Sequence, residues 1–88
     1  MNPEGSPRER AVALLVQAID RLARRDAAGM RVAAVLFWHY LRGREVKDLA
    51  TEAEVSEKTI KRLLAEGRER LLEIFTKDFG IEGVGELL

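Results

Sequence analysis

Val46-Lys-Asp-Leu-Ala-Thr-Glu-Ala-Glu-Val-Ser-Glu-Lys-Thr-Ile-Lys-Arg-Leu-Leu-Ala65 decides the fold of this 88-residue chain. Its apolar positions do not follow one continuous helical stripe. Val46, Leu49, Ala50 and Ala53 form the inner face of a short helix over about Glu45 to Glu52. Glu54-Val55 reads as a turn. Ser56 is a good N-cap for a second helix running to about Phe75, with Ile60, Leu63, Leu64, Leu71, Ile74 and Phe75 inward. Leu49, Ala53, Val55, Ile60 and Leu63 occupy the buried points that hold two helices at a steep angle, and Ala50 is small where they come closest. The spacing therefore predicts a helix-turn-helix over residues 46–65. Such a motif sets the N-terminal part of its second helix into the DNA major groove.

That placement faces Ser56, Glu57, Lys58, Thr59, Lys61 and Arg62 toward DNA. Lys and Arg reach guanine edges or phosphates, and Glu accepts from a cytosine amino group. Ser56 and the free N–H groups at the helix start suit a phosphate. Arg42, Arg44 and Lys47 lie at the start of the motif's first helix, where they reach the DNA backbone across the groove. The charges also have a plainer reading. Glu57 and Lys61, like Glu66 and Arg70, are four apart and suit ordinary surface pairs.

Upstream, residues 1–5 are polar with Pro and Gly and are expected to be loose. Ser6-Pro7-Arg8-Glu9 has the pattern of a capping box with Pro at the first helical position. A supporting helix then covers residues 8–25. Val12, Leu15, Val16, Ile19, Leu22 and Ala23 form its stripe, and Ala11, Leu14 and Ala18 widen it. So wide an arc makes a homodimer a second expectation. Asp26-Ala-Ala-Gly29 reads as a weak break. Met30 to Leu41 follows as the most apolar helix, central to the bundle, with Trp38 in the core and Gly43 as its cap. Gly67 marks either a close helix approach or a bend. The tail, residues 76–88, is too Gly-rich to read as a helix, and its apolar residues suit packing back on the domain or meeting a partner.

The expected fold is a single all-α domain, a small bundle of four to five helices without a wing. Apolar residues at 47% suffice for one modest core. The absence of Cys excludes disulfides, thiolate metal sites and a Cys nucleophile, and a single His argues against zinc. No metal, cofactor or enzymatic site can be assembled. No apolar run approaches a membrane span, and the N-terminus lacks a signal-peptide pattern, so a cytoplasmic location is expected. Fifteen basic and fifteen acidic residues cancel, so any DNA affinity must come from a local patch.

Beyond the motif, Arg31 to Leu72 resembles region 4, the promoter-reading domain of sigma-70 family sigma factors. The matching strings are Val35-Leu-Phe-Trp-His-Tyr-Leu-Arg-Gly43, Val46-Lys-Asp-Leu-Ala50, Val55-Ser-Glu-Lys-Thr-Ile-Lys-Arg62 and Gly67-Arg-Glu-Arg-Leu-Leu72. The resemblance implies a core over residues 30–72 and sets Ser56, Glu57, Lys58, Lys61 and Arg62 against the −35 promoter element. It also implies RNA polymerase as a partner, through the flap of its β subunit. Two residues depart from the pattern. Glu54 stands where the family's turn usually has Gly, which implies a different turn or mild strain, and Arg44 replaces an apolar residue. The chain has no room for the domain that reads the −10 element, so the expectation is a stand-alone transcription regulator. The alternatives are an adaptor that meets polymerase or a sigma factor without reading DNA, and a phage-type packaging or recombination accessory.

Overall fold

The computed structural model describes residues 7–81, and four helices carry them. No strand occurs among these residues. Helix α1 spans Pro7–Arg25, α2 Ala27–Leu36, α3 Val46–Ala53 and α4 Glu57–Glu73. The expected loose start at residues 1–5, and Ser6 of the expected capping box, lie outside the described residues.

The break expected at Asp26–Gly29 shrinks to one residue. Asp26 alone is extended, at φ −166°, and its carboxylate accepts a hydrogen bond from the Gly29 N–H at 2.6 Å. That cap starts α2 three residues before the expected Met30. Gly29 lies buried inside α2 because the backbone carbonyl of Leu22 on α1 packs where a side chain would stand.

Helices α2 and α4 end alike. Each widens into a five-residue π-helical turn, Phe37–Leu41 after α2 and Ile74–Asp78 after α4. Each turn closes with a five-residue hydrogen bond, Arg42 N–H to the Phe37 carbonyl and Phe79 N–H to that of Ile74, both at 3.2 Å. A glycine at positive φ follows in both, Gly43 at 68° and Gly80 at 65°. The next residue then bonds back, Arg44 N–H to Trp38 O at 2.9 Å and Ile81 N–H to Phe75 O at 2.8 Å. Only glycine takes this conformation without a Cβ penalty, so both caps are fixed by sequence. The tail expected to leave the helical path at residue 76 thus stays on it to Asp78, and Phe79 and Ile81 pack against the core.

Leu22, Val32, Leu36, Ile60, Leu71 and Ile74 are the largest fully buried side chains, drawn from α1, α2 and α4 and its terminal turn. Helix α2 lies between α1 and α4, while α3 packs on α4 and the end of α2. Gly67 on α4 faces Leu36, whose Cγ and both Cδ atoms would stand 2.8 Å from an added Cβ. Of the two expected readings, close approach is the one observed.

Several residues expected inside are outside. Trp38, expected in the core, is 44% exposed, and its neighbour Phe37, for which no side was expected, is 38% exposed. On α1, Val12 and Val16 are exposed, while Ala18, Ile19 and Leu22 form the buried row. In the turn, Ala53 and Val55 are exposed. The cause is common to α1 and α2. Their apolar arcs are wider than the neighbouring helices can cover, so each keeps a second, uncovered stripe.

Candidate nucleic-acid interface

Glu54, Val55 and Ser56 join α3 to α4. Glu54 adopts the left-handed conformation, φ 57° and ψ 42°. Its N–H donates to the Thr51 carbonyl at 3.3 Å, and the Val55 N–H donates to that of Ala50 at 3.0 Å. This pair of bonds is a Schellman closure of α3. The glycine-like turn geometry is therefore retained with a glutamate in it, and mild strain is the outcome of the two expected. Ser56 then turns extended, at φ −75° and ψ 156°, and its Oγ accepts from the Thr59 N–H at 3.1 Å. Thr59 Oγ1 lies 3.0 Å from the same oxygen. One strained residue followed by one capping residue sets where α4 begins and which way its first turn faces.

Glu57, Lys58, Lys61 and Arg62 all stand exposed on the first two turns of α4. Thr59 is half-buried. None of the three cations has an ion-pair partner among the described residues, while other exposed charges do. Arg70 pairs with Glu66 at 2.8 Å, as its spacing suggests. Glu57 and Lys61, with the same spacing, do not pair among the described residues. The basic groups of the first turns are thus available to an external anion.

The second group behaves differently. Arg42 is exposed, and Lys47 is exposed with Glu45 at 3.8 Å. Arg44 is half-buried and engaged. Its guanidinium bonds Glu52, and its carbonyl lies 2.8 Å from His39 Nδ1. Arg44 ties the α2 end to α3 and is the member of the expected set least free to reach a phosphate. Tyr40 receives a hydrogen bond from Arg68 at 3.1 Å, which fastens the same turn to α4.

Arg31 was not singled out by sequence. It is exposed on α2 and lines a groove of about 380 Å³ with Arg62, Thr59, Val35, Val55 and Leu63. Two arginines without ion-pair partners among the described residues thus flank one apolar floor at the edge of the candidate interface. They are 31 positions apart in sequence, and only the α2–α4 packing joins them. Among the described residues no helix is long and apolar enough to cross a membrane, and no group of three side chains is placed to hold a metal ion.

Comparison with protein-family models, with curated proteins and with solved structures finds no match to this chain.

Proposed function

We propose that this chain is a small transcription regulator that reads duplex DNA with the first turns of α4. The carrying observation is the exposed trio Lys58, Lys61 and Arg62, without ion-pair partners among the described residues, presented directly after a capped helix start. Glu57 beside them supplies an acceptor for a cytosine amino group. Ser56 takes the Thr59 N–H, and the Glu57 and Lys58 N–H groups before it stand at the positive end of the helix dipole, ahead of the first intrahelical bonds. Arg31 adds a cation on the α2 side of Arg62, and Arg42 and Lys47 add two before and within α3. The resemblance to sigma region 4 supports the same orientation and makes RNA polymerase a candidate partner.

The test is selection of bound duplexes from a random pool at two salt concentrations. A defined site is expected, with a shallow salt slope for a neutral chain that makes few phosphate contacts. Lys58→Ala with Arg62→Ala should weaken binding to that site by about 100-fold, at roughly 1–3 kcal/mol for a good base contact, with the helical signal unchanged. Unchanged affinity would refute the reading.

One observation favours a second reading. The groove beside Arg62 has an apolar floor of Val35, Val55, Ile60 and Leu63, which suits a peptide of a partner protein. An adaptor of this kind would recover polymerase or a sigma factor from nuclease-treated extract and show no preference in the DNA selection.

A further inference from the structure

The groove beside Arg62 is one half of a longer trough. Its Arg31, Val35, Ala53 and Ile60 also line a second opening of about 310 Å³, which takes in Leu49 and Trp38. The two follow the seam where α2 meets α4 and the end of α3. Val55 at one end is 41% exposed and Trp38 at the other 44%, with Val35 and Leu63 half-buried and Ile60 buried beneath. We propose that this trough docks a segment of a partner protein in which carboxylates flank large apolar side chains.

Charge selects the occupant. Arg31 and Arg62 are both exposed at the trough, and neither has an ion-pair partner among the described residues. No described carboxylate lines the first opening. In the second, Glu52 is the single acidic residue, and the Arg44 guanidinium already takes it. Cations beside low-dielectric walls, with no acid to answer them, focus a positive field on the groove. Guanidinium groups meet carboxylates with paired N–H donors.

The floor narrows the partner further. A duplex brings phosphates to the two arginines but nothing large and apolar to lie along Val55 and Trp38. A second copy paired through this surface about a two-fold axis sets positive against positive. A peptide with acidic and apolar side chains satisfies arginines and floor together, as when the apolar anchors of a segment enter a groove.

Arg62 belongs to both surfaces. One consequence therefore rests on the DNA reading: a docked segment takes Arg62 from the duplex, so peptide and DNA exclude each other.

The test is selection from a random library of Trp-free peptides on the full chain without DNA. The expected result is a consensus of Asp or Glu around Leu, Ile or Phe. A peptide of that consensus should move the emission of the single Trp38 to the blue. Arg31→Gln should weaken it about tenfold, the loss of one charge-assisted contact, with the helical signal unchanged. A peptide with Lys in place of those acids should prefer Arg31→Glu combined with Arg62→Glu over wild type, an inversion that a merely structural defect does not produce. If that double variant unfolds, Arg31→Gln decides. Recovery of no peptide, or a consensus without acids, overturns the proposal. So does a selected peptide that leaves both Trp38 emission and the Arg31→Gln affinity unchanged. Loss of DNA affinity in Arg31→Gln, with no peptide recovered, assigns the arginines to the duplex and overturns it as well. Added to the chain on its selected duplex, the peptide should displace the DNA; binding of both at once overturns the exclusion. Docking is read without DNA, so failure of the DNA selection leaves it standing, and failure of the peptide selection leaves the DNA reading standing.

Discussion

Glu54 is the one described non-glycine residue at positive φ, and it sits at the hinge of the candidate interface. The left-handed conformation costs an L-residue roughly 1–2 kcal/mol, while glycine there costs extra backbone entropy of roughly 0.5–1 kcal/mol on folding. The first figure exceeds the second. Glu54→Gly is therefore expected to raise stability by about 0.5–1 kcal/mol in urea unfolding; a loss of stability would contradict the strain. Gly67 gives the opposite balance. Alanine gains roughly 1 kcal/mol of helix propensity, but its Cβ meets Leu36 at Cγ as well as at the methyl tips, so a rotamer change of the tips alone does not clear it. Leu36 is fully buried and has little room to move. Overpacking of roughly 1–3 kcal/mol should win, and Gly67→Ala is expected to lower the unfolding midpoint. Removing the branched neighbour with Leu36→Ala should then make the added methyl favourable in the double variant. At this scale sequence identified both positions but not their geometry. A glutamate in a glycine place is visible as an anomaly; whether the backbone yields or holds depends on the Ala50 and Thr51 carbonyls that close around it.

At the scale of elements, the all-α class and the cap at Ser56 were legible because they follow from periodicity and from side-chain oxygen chemistry within a few residues. The faces were less legible. An arc of apolar residues shows how much surface a helix would hide, not how much its neighbours cover, and that gap explains Val12, Val16, Phe37 and Trp38 together. The terminal π turns were not legible at all, since their closing glycines also suit an ordinary α-helical cap. The end of α4 carries a local electrostatic feature of its own. Lys77 donates to Glu73 at 3.1 Å, and that hydrogen bond, followed by the lysine's charge, holds the Glu73 carboxyl below its ordinary value of 4.5. A lowered folded pKa contributes stability above the ordinary value, and the contribution is lost as pH falls through the lowered one. Both groups are exposed, so the effect is small. Thermal melts between about pH 5 and about pH 3 should decline slightly less steeply for Glu73→Gln than for wild type; an identical decline would show that the pair adds nothing.

For the whole molecule, the information missing from sequence is which distant residues share a surface. Arg31 beside Arg62, and α1 beside α2 on one open face, follow from packing rather than from any local pattern. The resulting layout separates two surfaces, a polar one on α4 and an apolar one on α1 and α2. Changes at the two are expected to add independently: Val16→Glu should leave the affinity for the selected DNA site within about twofold, measured by titration at low protein concentration, because distant sites couple weakly. The one-residue link at Asp26 bears on how this layout is reached. Bringing α1 against α2 closes almost no loop, so the chain entropy lost in forming that hairpin is about as small as a helix pair permits. Contacts between neighbouring helices are the kind that form in microseconds to milliseconds. The α1–α2 hairpin is thus kinetically favoured to organise early and to offer a surface on which α4 condenses, and the apolar face would exist before the polar one is in place.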